Sequence, residues 1–276
     1  MGDRNFKEML EAKWAQDKFV CVGLDSEISK IPMCLQRNIG GNRITAFNRL
    51  IVEATKDLVC AYKPNIAFYE GHGTEGIAAL HRTVVDIHEI APDIPVILDA
   101  KRADIGNTNN GYVQMAFDFL QVDAITVNPY LGREALQPFL DCKNKGIIVL
   151  CRTSNPGADE FQDLRISGEP LYRYVARRVV SEWNKNDNCA LVVGATWPKE
   201  LNEIRTLVGD MPILIPGIGA QGGDVQQTVV AGKDSRGQGM IINSSRGIIF
   251  ASKGRDFAEA AHRETEKLHN LINQYR

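Results

Sequence analysis

At 276 residues, with 44% hydrophobic and 24% charged positions, the chain has the length of one α/β barrel and enough apolar material for a sizeable core. A formal net charge of -2 excludes a broad nucleic-acid or anionic-membrane surface, so any binding site has to be local. The six cysteines show no CxxC pairs, and Cys21, Cys60 and Cys189 lie inside apolar runs; they indicate a reducing compartment with neither a disulfide framework nor a zinc site.

The chain opens on MGDRNFKEML, whose charges have no hydrophobic segment behind them, so no secretory signal is read there. No apolar run approaches a membrane span, and a cytoplasmic location follows by elimination. The first predicted strand is FVCVGLD (19–25), followed by an amphipathic segment at 43–57. LVCAYKPN (58–65) precedes a helical pattern at 75–90, and IPVILDAK (94–101) precedes one at 109–121. AITVNPY (124–130) and GIIVLCRTS (146–154) come next, then a predicted helix at 171–185. CALVVGAT (189–196) leads into 198–208; PILIPGIG (212–219), GMIINSSRG (239–247) and a last helix at 255–274 complete the pattern.

Eight short, almost continuously apolar strands alternating with helices predict a parallel sheet covered by helices. The count fits a closed barrel, a (β/α)8 TIM barrel, and no linker or composition shift divides residues 1–276, which read as a single domain. One connection stands out: NPGADEFQDLRISGEP (155–170) has the length typical of lids or spacers.

In such barrels the active site lies at the C-terminal ends of the strands. There this sequence places Asp25, Lys63 and Asn65, then Asp99 and Lys101 with Asp104 beyond, then Asn128, Ser154 and Asn155, and finally Asn243 and Arg246. Asp99 and Lys101 are two apart, so on a regular strand both point to one face, where unpaired charge is costly. One such pair alone reads as a structural ion pair. Four charges at the same end of consecutive strands read as a site.

PGIGAQGGD (216–224) and NSSRG (243–247) end strands seven and eight, where barrels of this kind commonly hold phosphate. Glycines bring backbone N–H groups close to an anion, and Arg246 supplies a forked cation. Gly217, Gly219 and Gly222 also spell the dinucleotide pattern G-x-G-x-x-G, but that motif belongs after the first strand of a βαβ unit. The five histidines show no metal-ligand spacing; His81 and His88 are expected to face solvent, and Trp14, Trp183 and Trp197 to pack helices.

At LDAKRADIGNT (98–108), the D-x-K-x-x-D pattern followed by I-G-N-T resembles the signature of the orotidine 5'-phosphate decarboxylase family. The resemblance extends through GLD at strand one, KPNIAFYE at strand two, SNPGA, PGIGAQGGD and SSRGI. VVGATWPKEL (192–201) and KPNIAFYE are similar to the longer, bacterial-type branch. Arg102 and Ala103 fill the variable middle of D-x-K-x-x-D. Nothing resembles the family's phosphoribosyltransferase partner domain, so a monofunctional enzyme is expected.

The resemblance implies a cofactor-free and metal-free decarboxylation of orotidine 5'-monophosphate to uridine 5'-monophosphate and CO2, by a homodimer with shared active sites. It implies that Asp25 and Lys63 bind the ribose hydroxyls, that Asp99 lies beside the substrate carboxylate, and that Lys101 protonates C6. Asp104, Ile105 and Thr108 would reach the neighbouring subunit's site, and Ser154 would bond the pyrimidine edge. Gln221 and Arg246 would hold the phosphate, with Pro216 and Ser245 lining its pocket. Three alternatives are weighed against this. Metal-dependent sugar-phosphate decarboxylases or aldolases of the same superfamily share D-x-K-x-x-D but resemble one another in a Glu metal ligand where this chain has Lys63. A nicotinamide enzyme would rest on G-x-G-x-x-G, and a silent phosphate sensor would leave the Asp/Lys set unused.

Overall fold

Eight short runs rich in Val and Ile form strands because branched side chains suit a pleat packed on both faces. They are β1 (Val20–Gly23), β2 (Val59–Lys63), β3 (Ile97–Arg102), β4 (Ala124–Val127), β5 (Gly146–Arg152), β6 (Cys189–Val193), β7 (Ile213–Pro216) and β8 (Met240–Ser244). The computed structural model describes residues 4–35, 42–219 and 222–276. The strands pair in parallel in the order β2-β1-β8-β7-β6-β5-β4-β3. Bridges Tyr62–Val96 and Asn65–Asp99 close β2 onto β3, with Asp99 N–H donating to Pro64 O at 2.9 Å. The result is the expected TIM barrel.

The helices that cover it begin at α1 (Phe6–Trp14), α2 (Arg43–Thr55) and α3 (Gly73–Ile90). They continue through α4 (Thr108–Val113), α5 (Gly132–Leu140) and α6 (Leu171–Arg178) to α7 (Pro198–Val208), α8 (Val225–Gly232) and α9 (Phe257–Tyr275). Their starts are written in the sequence: Asn42 Oδ1 accepts from Ile44 N–H at 2.9 Å, and Asp224 Oδ1 accepts from Gln227 N–H at 2.7 Å. The patterns at 109–121 and 171–185 are each an α-helix that widens into a π-helical turn, at Gln114–Phe119 and Val179–Trp183.

The N-terminal helix α1 carries no sequence pattern that sets it apart, yet it seals the N-terminal end of the barrel. A Cβ on Gly146 would lie 2.2 Å from the ring of Phe6, and Trp14 Nε1 donates to Met240 O at 2.9 Å. The expectation that His88 faces solvent is wrong. Its side chain is 9% exposed and its Nε2 lies 4.0 Å from Asp123 Oδ2, because α3 turns that face inward toward the residue preceding β4. His81 is half buried and stacks on Phe119. All six cysteines are free, as expected, and among the described residues no helix is long and apolar enough to cross a membrane.

Candidate active site

Parallel strands carry their last side chains to one rim, and here that rim is charged. Lys63, the last residue of β2, is 3% exposed, and its Nζ donates to Asp99 Oδ2 at 3.0 Å. Lys101 Nζ donates to Asp99 Oδ1 at 2.6 Å, and Asn65 Nδ2 lies 3.5 Å from Oδ2. Asp99 is therefore gripped from both sides.

Burial works against the Asp99 carboxylate, but the ammonium groups of Lys63 and Lys101 outweigh it and hold its pKa well below the ordinary range. Burial likewise opposes the charge on Lys63, and Asp99 followed by Asp25 more than offsets it, so its pKa is raised. Cys21, behind Lys63, is pushed up to about 12 by burial and stays a thiol. Asp99 and Lys63 are therefore both charged at neutral pH.

Asp25 stands just past β1 on a turn braced from behind. Ser26 Oγ donates to Asn48 Oδ1 at 2.5 Å, Asn48 Nδ2 donates to Tyr69 Oη at 3.0 Å, and Tyr69 Oη donates to Leu24 O at 2.9 Å. The carboxylate itself has one oxygen, Oδ1, buried with no hydrogen-bond partner among the described residues. A buried acceptor without a donor is uncommon in a structural role and suits a ligand hydroxyl.

The pairing of Asp99 with Lys101 has a different cause from the one the strand spacing suggests. Register runs Leu98–Ile125 and then Arg102–Val127, so Asp99, Ala100 and Lys101 bulge opposite the single residue Thr126. Lys101 sits at φ +49°, a left-handed conformation that costs a non-glycine residue roughly 1–3 kcal/mol. Thr126 was invisible to sequence reasoning, since an apolar strand hides one threonine. Its hydroxyl donates to Asp99 Oδ1 at 3.0 Å.

Beyond β3, Asp104 Oδ1 accepts from the N–H of Ile105 at 2.6 Å, and Asn109 holds the Asp104 backbone from both sides. Among the described residues Asp104 forms no ion pair, so it does not join the Lys63–Asp99–Lys101 chain within one subunit. Ile105 is 62% exposed and Thr108 is exposed.

At β5 the long connection is fastened at its base. Gln162 accepts from Thr153 N–H at 2.9 Å and donates to Thr153 Oγ1 at 2.8 Å, while buried Arg152 bonds Asp163 at 3.2 Å. Arg152 also lies 4.1 Å from the ring centroid of Trp197, whose Nε1 donates to Thr153 O at 2.9 Å. Trp197 thus clamps the strand end beside Ser154 and is not the helix-packing residue its sequence suggested. Backbone proximity there admits only glycine at 194, where a Cβ would meet Ser154 at 2.7 Å.

Pro216 and Asn243 pair across β7 and β8, which sets the glycine loop beside Ser245 and Arg246. Gly217, Gly219 and Gly222 all have positive φ, and Gly223 N–H donates to Gly217 O at 3.1 Å, folding the loop back on itself. Ser245 Oγ donates to Gly23 O at 3.0 Å. Arg246 is exposed and forms no ion pair among the described residues. Gln221 lies outside the described residues. Asn128 and Asn243, also singled out by position, have structural tasks: Asn128 caps the following turn, and Asn243 donates to Cys21 O at 3.0 Å.

With this geometry in place, residues 18–261 match the sequence profile described as the orotidine 5'-phosphate decarboxylase / HUMPS family. The chain is 48% identical over 272 residues to an orotidine 5'-phosphate decarboxylase of Cupriavidus metallidurans, covering 98% of each chain. It is 48% identical over 273 residues to one from an Azoarcus species, covering 99% of this chain and 100% of that one. The solved OMP decarboxylase of Leishmania donovani superposes with a TM-score of 0.83 at 36% identity, over 98% of this chain and 99% of that one.

Proposed function

The chain belongs to the orotidine 5'-phosphate decarboxylase / HUMPS family, and from that premise we propose that it converts orotidine 5'-monophosphate to uridine 5'-monophosphate and CO2 in pyrimidine biosynthesis, in the cytoplasm and without a cofactor. The observation that carries this reading is the Lys63–Asp99–Lys101 chain at one rim of the barrel, with Lys63 buried and Lys101 half exposed. Lys63 puts a cation at the end of β2, where the superfamily's metal-dependent members resemble one another in a Glu ligand.

Decarboxylation breaks the bond from C6 to the carboxylate and leaves the electron pair on C6. The ammonium of Lys101 faces that carbon, stabilises the pair as it forms, and then transfers a proton from Nζ to C6. Asp99 directs the Lys101 side chain, and its own charge next to the substrate carboxylate favours departure of neutral CO2. Asp25, whose Oδ1 has no partner among the described residues, and Lys63 bind the ribose hydroxyls. Ser154 bonds the pyrimidine edge, and Arg246 with Gln221, Pro216 and the Ser245 backbone holds the phosphate. Grip on the distant phosphate supplies binding energy that orders the reacting end.

The site is completed by a second copy. Among the described residues Asp104 forms no ion pair, and the segments after β3 and β4 leave the large apolar side chains of Ile105, Tyr130 and Leu131 exposed, a composition suited to a subunit interface. Asp104, Ile105 and Thr108 then act in the neighbour's site.

The test is the ultraviolet absorbance of orotidine 5'-monophosphate with purified protein in EDTA. Loss of the substrate band with CO2 release is expected. A folded protein that turns over only with added Mg2+ and sugar phosphates would move the chain to the metal-dependent branch. For the shared site, mixing inactive Asp104→Ala and Lys101→Ala protomers is expected to restore activity by forming one intact site per heterodimer. Exchanged mixtures that stay inactive would confine the site to one chain.

A further inference from the structure

Thr126 stands where the barrel wall departs from regular pairing. The three bulged residues of β3 leave two N–H groups, those of Ala100 and Lys101, without a partner strand carbonyl. Both donate to the Thr126 hydroxyl oxygen, at 3.0 and 2.9 Å. The single hydroxyl proton is directed to Asp99 Oδ1 at 3.0 Å. A hydroxyl has one proton and two lone pairs, so its whole hydrogen-bonding capacity is committed to three consecutive residues of the opposing strand. Thr126 is 1% exposed, which keeps water from competing for any of them.

Two consequences follow from the geometry. A lysine leaves the left-handed region unless its surroundings over-determine it, and the bond from Lys101 N–H to the buried Thr126 hydroxyl is a restraint acting directly on that peptide. The same hydroxyl orients the carboxylate oxygen that receives Lys101 Nζ at 2.6 Å. Backbone and side chain of Lys101 are thus both referenced to one atom.

We propose that Thr126 is a positioning residue for the decarboxylation, holding Lys101 in its left-handed conformation and Asp99 in line so that the ammonium is aimed before substrate arrives. The inference rests on the functional reading above. It differs from a role in folding alone, for which the hydroxyl would be an ordinary buried hydrogen bond whose loss lowers stability and leaves turnover untouched.

Thr126→Val keeps the branched shape and removes the hydroxyl; Thr126→Ser keeps the hydroxyl. Thr126→Val is expected to lower kcat about 100-fold, the scale of a misplacement near 1 Å, with KM changed by less than about threefold, because ribose and phosphate are held by other strands. Thr126→Ser is expected to stay within about threefold of the parent in kcat. A folded Thr126→Val enzyme with parental kcat would overturn the proposal, as would a Ser variant as impaired as the Val variant. A crystal structure of Thr126→Val is the readout independent of turnover: Lys101 is expected to leave positive φ. If the parent enzyme does not decarboxylate, the functional reading fails on its own, and Lys101 unmoved in the variant structure would separately overturn the positioning.

Discussion

The two rims of this barrel both bury charge, and they treat it in opposite ways. At the N-terminal rim Arg205 gives its donors to four backbone carbonyls, those of Gly209, Met211, Gly232 and Gly239, at 2.6–2.8 Å. Arg4 there holds Asp123 with two bonds of 2.8 Å and donates to Ile94 O at 3.1 Å. At the C-terminal rim Asp25 Oδ1 has no partner among the described residues, Lys101 is half exposed, and its backbone is strained. Buried charge alone does not mark a functional site. Charge left incompletely satisfied, on a backbone held away from its relaxed form, does.

The sharpest way to break this contrast is Lys101→Ala. Turnover is expected to fall on the order of 10⁴-fold or more, since stabilisation of the C6 electron pair and its protonation are lost together, while uridine 5'-monophosphate still binds. Single-turnover absorbance and a product titration would check it, and activity within tenfold of the parent would remove Lys101 as the donor.

Arg205→Met tests the opposite rim. It leaves four backbone carbonyls, three of them in buried bonds, short of a donor and is expected to cost roughly 3 kcal/mol or more in urea unfolding, with kcat of the folded fraction almost unchanged. A large loss of kcat without loss of stability would erase the distinction between the rims.

The strain at Lys101 is open to direct measurement. Lys101→Gly is expected to be about 1 kcal/mol more stable than Lys101→Ala, because glycine alone takes positive φ freely. Equal stabilities would mean that the conformation is not strained.

The smallest effect is one of pH. Burial first, then the Arg4 cation, pulls His88 down to about 4, against the pull of Asp123. Between there and the ordinary histidine value the unfolded chain binds a proton that the folded chain refuses, so stability falls as pH drops through that window. Asp99, whose pKa is depressed, adds its own loss only below the ordinary carboxylate range. Melting temperatures at pH 7.5 and 4.5 should therefore differ less in His88→Gln than in the parent. An unchanged difference would show that His88 is not the group responsible.

Much of this molecule was legible before any coordinates. Branched apolar runs at regular spacing specify eight parallel strands, because period and composition act over neighbouring residues, and parallel strands must send their last side chains to one rim. Asp25, Lys63, Asp99 and Lys101 could be located there from the sequence alone, as could the glycines of the 216–224 loop. What the sequence could not carry were relations between residues far apart in the chain. Asp99 and Lys101 meet through a bulge set by the register of β3 on β4, and Thr126 matters because that bulge leaves two N–H groups facing its hydroxyl. His88 and Trp197 likewise took their places from packing, one against Arg4 and Asp123 and the other against Arg152. Local pattern determines which elements form and which end is charged. Only the closed barrel, by fixing which strands touch and in what register, decides how those charges are aimed.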